Sequence, residues 1–242
     1  MTKPIRMSEC ENDCRRVDIT DRLRALADEE YRTFQSRLVP NVPFERILGV
    51  RIPQLRKFAV EIRNSLSARE FIANPRHIYY DENNLHGLLI SYEDDYERAL
   101  KLLDEFLPYV DNWATCDLIS PRAFAKHTDR LYTQIEKWLD SSHTYTVRFG
   151  IDMLIKYYAA DRLTIDKLER VASLAQGDYY IDMAAAWYFA TAMIWHTQEV
   201  LSLLESGQID GAVRAKTIQK ALESYRISDD TKAYLREIRG RA

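Results

Sequence analysis

Glycine and proline are scarce in this chain, with seven of each in 242 residues. That is too few for the many tight turns of a β-sandwich or barrel. Long apolar runs are missing too, since no stretch approaches the roughly eighteen consecutive apolar residues of a membrane span. The opening MTKPIRMSECENDCRR has no apolar core of the kind a secretory signal carries. These absences lead to the expectation of a cytoplasmic protein that does not engage a membrane. Cysteine is limited to Cys10, Cys14 and Cys116, an odd count without framework spacing. Cys10 and Cys14 would make half of a metal site, but no second pair or nearby histidine completes it, so reduced thiols are expected. His77, His86, His127, His143 and His196 are scattered without ligand spacing. There is no Gly-rich phosphate loop, no Gly-x-Ser-x-Gly elbow, no His-Glu-x-x-His and no Cys-x-x-Cys. Neither a metal nor an organic cofactor is implied.

What the chain has is helical periodicity. With 46% hydrophobic and 11% aromatic residues, it can build one sizeable core or a solenoid of several helical pairs. Residues 1–16 read as a loose polar lead-in, and 17–242 as a single helical-repeat domain without a linker. Ile19, Leu23, Leu26 and Ala27 recur at three- and four-residue intervals, and Tyr31, Phe34 and Leu38 carry on a similar stripe. Pro40 and Pro43 break it. Pro53 suits a first helical turn, and Leu55, Phe58, Ala59 and Ile62 form the next apolar face. Further stripes are Leu85–Leu88–Leu89–Tyr92, Leu100–Leu103–Phe106–Leu107, Ile151–Leu154–Ile155–Tyr158 and Leu163–Ile165–Leu168–Val171. The segments 180–197 and 212–225 also read as helices. Nothing shows sustained period-two alternation. The expected fold is all-α: roughly a dozen helices in antiparallel pairs stacked side by side, although no exact repeat is visible.

Candidate chemistry lies where tryptophans stand near single charges. Trp113 and Asp117 are four residues apart, so on a helix they share a face. Arg148 opens an apolar helix, and Trp187 follows Ala184-Ala185-Ala186, small neighbours that leave its ring accessible. Taken singly, each has a plainer reading. Trp113 would be core, Asp117 a cap for the segment near Ser120-Pro121, Arg148 a surface charge, and Trp187 a packing partner of Phe189 or Trp195.

Four motifs, in order and at matching spacing, carry a resemblance to the AlkD-like DNA alkylation repair proteins. Gly49-Val50-Arg51-Ile52-Pro53-Gln54-Leu55-Arg56-Lys57 is similar to the family's Gly-Val-Arg-x-Pro-x-Leu-Arg-Lys. The segment 111–117 resembles its Trp-Trp-Asp-Thr-Val-Asp. Arg148 matches its functional arginine, and Trp187 the tryptophan of its later helix. The resemblance covers nearly the whole chain from about Val17. It implies HEAT-like repeats curved around duplex DNA and release of N3- and N7-alkylated purines; a monomer is expected. It further implies Asp117 as the catalytic carboxylate, Trp113 and Trp187 as aromatic walls, and Arg148 as a phosphate contact. Arg51, Arg56 and Lys57 are further DNA-contact candidates, with Arg122, Lys126, Arg214, Lys216 and Lys220 behind them.

The chemistry is coherent. A cationic alkylpurine is already a good leaving group, so a fixed carboxylate that stabilises an oxocarbenium-like sugar suffices. Flat aromatic faces favour a nearby cation by roughly 0.5–2 kcal/mol each. Three features depart from the family pattern. Asn112 stands where the first tryptophan of the pair would be, Asp182-Met183 where a Gln-Lys pair would face DNA, and the C-terminal helix 216–226 is similar to a branch distinct from the best excising members; the net charge of −3 also counts against a DNA role. An alternative therefore stays open: a catalytically silent helical-repeat module that binds DNA structures or a protein.

Overall fold

The computed structural model describes residues 18–174, 177–209 and 211–240. The lead-in read at 1–16, with Cys10 and Cys14, lies outside the described residues. Among these there are fourteen α-helices and no strand, only an isolated bridge between Ala27 and Val50. The fold is all-α and of the helical-repeat class. None of the helices is long and apolar enough to cross a membrane. The chain forms two compact units, residues 1–123 and 124–242.

In the first unit, α1 (Ile19–Ala25) and α2 (Glu29–Leu38) are followed by α3 (Ile52–Ile62), α4 (Leu66–Ala73), α5 (Tyr80–Ser91), α6 (Tyr96–Phe106) and α7 (Trp113–Leu118). Side-chain caps start most of them. Asp18, Asp28, Ser65 and Asp95 each accept an amide of the first turn of α1, α2, α4 and α6, satisfying donors that a helix start leaves orphaned. Pro53 sits in the first turn of α3 as expected, and that helix buries Leu55, Phe58, Ala59 and Ile62. The stripe read through Tyr31, Phe34 and Leu38 is different. Phe34 and Leu38 are exposed, and the buried residue of α2 is Gln35, whose Nε2 donates to the Tyr80 hydroxyl at 2.9 Å. The physical cause is a break at Ala27–Asp28, where the backbone turns to meet Val50 and the Asp28 amide donates to the Gly49 carbonyl at 3.0 Å. A new helix then begins with its own phase.

At the centre of this unit is α5, which α1, α3, α4, α6 and α7 all touch. All twelve of its residues are buried. Gly87 permits the approach of the segment after α7, since a Cβ there would meet Ile119 at 2.8 Å.

The second unit contains α8 (Thr128–Leu139), α9 (Thr144–Tyr157), α10 (Ile165–Leu174), α11 (Tyr179–Ala192), α12 (Thr197–Glu205), α13 (Gly211–Glu223) and α14 (Asp229–Arg239). Here α9, α11 and α13 lie side by side, with α8 against α9, α10 and α12 against α11, and α14 against α13. Alternate helices forming one layer is the order a stack of helix pairs produces. Gly150 lets α9 close on α8, where an added Cβ would meet Leu139 at 2.8 Å. The stretch 180–197, read as one helix, is α11 and the start of α12. No glycine or proline marks the end of α11 at Ala192.

Candidate active site

In the first unit, Trp113 and Asp117 sit on α7, a helix of only six residues. A helix this short does not hold itself together in water, so its position depends on its neighbours. Asn112 is its N-cap and is fully buried. The Asn112 Oδ1 accepts the Thr115 amide at 2.8 Å, while Nδ2 donates to the Thr115 hydroxyl at 3.0 Å and to Asp111 Oδ1 at 2.9 Å. The Thr115 hydroxyl in turn donates to Asn84 Oδ1 of α5 at 2.7 Å. Just upstream, Arg46 pairs with Asp111 at 3.1 Å and also donates to the carbonyls of His77 and Ile78.

Trp113 has its own tether. Its Nε1 donates to the carbonyl of Leu38, the last residue of α2, at 2.9 Å. The indole packs on Val39, Val42, Ile47 and Tyr80. Thr115 and Cys116 face inward, while Trp113 and Asp117 are half-buried one turn apart. The Asn112 departure thus has a structural use: it replaces a ring with the cap that starts the helix bearing both candidate residues.

The Gly49–Lys57 motif divides into a clamp and an exposed helix face. The buried Asp81 carboxylate of α5 accepts the amides of Leu48, Gly49 and Val50 at 2.7, 3.3 and 2.7 Å. Burial holds its pKa above the ordinary carboxylate range, with the three amides working against that shift. Gly49 has φ +90°, and a Cβ there would lie 2.6 Å from the Asp28 carbonyl oxygen and from Arg32 Cβ. Only glycine fits. Arg51 pairs with Asp28 at 2.8 Å and lies over the Tyr31 ring. Its guanidinium, together with the Tyr31 amide, holds the Asp28 carboxyl below its usual range. Arg56 and Lys57 are exposed on α3.

In the second unit, Arg148 lies inside α9 rather than at its opening, and its side chain is mostly covered, at 7% exposure. Its Nη1 donates to the Tyr180 carbonyl in the first turn of α11 at 2.9 Å. The same junction holds Asp178, which caps α11 through the amides of Tyr180 and Ile181 and accepts the Thr144 hydroxyl of α9 at 2.7 Å. Trp187 is exposed at 36% on α11, while Ala184, Ala185 and Ala186 beside it are buried. Burial raises the Asp182 pKa, and the nearby Asp178 charge adds to the rise.

The remaining cation candidates divide similarly. Arg122 pairs with Asp94 at 2.5 Å, Arg214 donates to the Ile238 carbonyl at 2.7 Å, and Lys216 reaches Gln219 at 3.3 Å. Lys126 is exposed and Lys220 half-buried. The structure brings Trp113 and Asp117 together on one helix of the first unit. Arg148 and Trp187 stand on α9 and α11 of the second.

Sequence reasoning missed the polar interior of α5. Asp81 and Asn84, with Arg46 and Asn112, fix the loops and the helix that carry the candidates. The available signal was Gly87 in mid-helix, which marks a close approach. His77 and His86 are ring-stacked neighbours, at 5.7 Å between centroids. No group of three or more His, Cys, Asp or Glu able to hold a metal ion occurs among the described residues.

No curated protein and no solved structure matches the chain. The family of DNA alkylation repair enzymes matches residues 19–224, a span that takes in the Asp81-clamped motif, α7, Arg148 and Trp187. The chain belongs to the DNA alkylation repair enzyme family.

Proposed function

We propose that this protein is a DNA glycosylase that releases cationic N3- and N7-alkylated purines from duplex DNA, with Asp117 as its carboxylate. Membership of the family makes its role one in DNA alkylation repair, with DNA as the substrate. The observation that carries the finer reading is the mounting of α7. A six-residue helix bearing Trp113 and Asp117 one turn apart is pinned at its cap by Asn112, at its side by Thr115 and at its first ring by Leu38. Such bracing is what a site needs when it must hold charge in place without reorganising.

In the reaction, the C1′–N bond breaks with its electron pair going to the purine, whose positive charge is thereby cancelled. The charge appears on C1′ and the ring oxygen of the sugar. Asp117 stabilises that charge and orients the water that adds to C1′, whose spare proton passes to the carboxylate and on to solvent, giving a free base and an abasic site. A cationic leaving base needs no strong acid, so one carboxylate covers the chemistry. Trp113 and Trp187 supply flat faces for cationic lesions or their sugars. Arg148 serves as a positioning residue, linking α9 to the first turn of α11, and makes its phosphate contact through whatever edge remains exposed.

A second reading, a catalytically silent helical-repeat module that binds a protein or DNA structures, is favoured by Asp178 and Asp182 at the start of α11, where negative charge opposes an approaching phosphate. The test is release of free base from duplex DNA carrying N7-methylguanine. Loss of release on Asp117→Asn with DNA binding retained supports the glycosylase. Equal release from wild type and variant excludes Asp117 as its carboxylate.

A further inference from the structure

Away from Trp113 and Asp117, the first unit contains an arginine-rimmed cleft. It lies between α4 and α6, with a cavity of about 330 Å³ that shares Arg69, Ile72, Arg98 and Leu102 with a second of about 480 Å³. Its rim carries Arg63, Arg69, Arg98 and Arg122, and Lys101 extends it. Ile72, Leu89, Tyr92 and Leu102 supply an apolar lining. Against five cations there are three carboxylates. Glu93 pairs with Arg98 at 2.9 Å, Asp94 with Arg122 at 2.5 Å, and Glu105 with Lys101 at 3.9 Å.

Two arginines are left over. Arg63 lies 5.7 Å from the centre of the Tyr92 ring, and neither it nor Arg69 pairs with a carboxylate among the described residues. Both are exposed. Arg69 is the fourth of the eight residues of α4, away from the C-terminal turn where the dipole would favour a cation. Helix stability therefore gives no reason for its charge, and an anionic ligand would. Arg63 is the C-cap of α3, where the dipole accounts for it in part.

We propose that this cleft binds a backbone phosphate of a nucleic acid strand, at a site that includes neither Trp113 nor Asp117. Four of the five cations are arginines, whose planar forks match phosphate oxygens in pairs. Tyr92, already beneath Arg63, offers the apolar lining to a sugar or base face. The inference rests on the chain being a DNA-binding protein and is independent of whether it cleaves.

The test is binding of fluorescent, undamaged duplex DNA across a salt series by wild type and by the double variant Arg63→Gln/Arg69→Gln. These two positions leave the Arg98–Glu93 and Arg122–Asp94 pairs intact, and an unchanged melting temperature verifies folding. A control, Lys137→Gln/Arg239→Gln, makes the same charge change at exposed positions outside the cleft. The cleft variant is expected to bind about tenfold more weakly near 0.1 M salt, with the salt slope reduced by about 1 and the control by less than half of that. Unchanged affinity and slope in the cleft variant, or equal losses in the control, overturn the proposal. So does an effect of the cleft variant on binding of inorganic phosphate or polyglutamate with DNA binding untouched, which would make the cleft a small-anion or acidic-protein site. Because the DNA is undamaged, failure of the glycosylase reading leaves this result standing.

Discussion

The helices α5 and α11 hold comparable places in their two units and fill them by opposite chemistry. Each is touched by several helices of its unit, and neither has a dry face opposite a wet one. Along α5 the buried residues include Asp81, Glu82, Asn83, Asn84 and His86. Along α11 they are Ala184, Ala185, Ala186, Tyr188, Phe189, Ala190 and Ala192. A buried polar helix is tolerable only if its groups are bonded. Most of those of α5 are spent on neighbours: Asp81 on the 48–50 loop, Asn84 Oδ1 on Thr115 of α7, and Glu82 on Thr20 of α1 at 2.6 Å, while Asn83 Nδ2, Asn84 Nδ2 and His86 Nδ1 are buried without a partner. α11 instead relies on small side chains that let helices approach closely, and it turns Trp187 outward from a scaffold with little to say about orientation. Polar burial fixes loops and caps in one arrangement; alanine burial fixes only distance.

The sharpest way to break this contrast is to remove the central acceptor of α5. Asp81→Ala leaves the buried amides of Gly49 and Val50 and the part-buried amide of Leu48 without a partner and is expected to cost about 3–5 kcal/mol, read by urea unfolding. A loss below about 1 kcal/mol would mean that the 48–50 loop is held by packing alone.

Acid should expose the same helix. His86 is buried against Phe106, with ring centroids 4.2 Å apart, and burial, aided by the charge of His77, pushes its pKa down to about 3. In the unfolded chain a histidine takes its proton near pH 6.5, while the folded one stays neutral down to about 3. Stability is therefore lost as pH falls through that window, at about 1.4 kcal/mol per unit from this group. Two units of acidification should remove roughly 2–3 kcal/mol. In His86→Phe, which keeps the stack and deletes a ring nitrogen buried without a partner, that part of the acid slope should vanish.

For α11 the corresponding lesion is steric. Ala185→Leu forces helices apart and should destabilise by about 1–3 kcal/mol, whereas a polar network would tolerate added bulk at its rim. The smallest effect expected is at Trp113→Phe, which keeps a ring but loses the bond to Leu38. A cost of about 0.5–1.5 kcal/mol is expected, with a larger fall in base release than in stability if the tether orients the site. Equal small effects on both would reduce Trp113 to core.

Much of the fold was legible in the residues because most helices are amphipathic. The stripe of α3 and its proline, and the break after Leu38, all lie where periodicity puts them. Periodicity found α5 through Leu85, Leu88 and Leu89 but was silent on its polar residues, because a pattern of hydrophobicity carries no record of which polar groups find partners. It also carried the stripe of α1 into α2 across a break that depends on Asp28, Gly49 and Val50, residues distant in sequence. Trp113 and Asp117 on one helical face followed from their spacing. That Asn112 caps this helix, and that Arg148 is covered and tied to Tyr180, did not, since both depend on which helix comes to lie alongside.

The most direct test is single-turnover release of N7-methylguanine from duplex DNA at saturating protein, wild type beside Asp117→Asn. Release by wild type well above the spontaneous rate, falling by about a hundredfold or more in the variant, with its affinity for DNA and its melting temperature unchanged, is the expected result. Release that survives the substitution would contradict the role given to Asp117, and no release from either protein would contradict the glycosylase itself for that lesion.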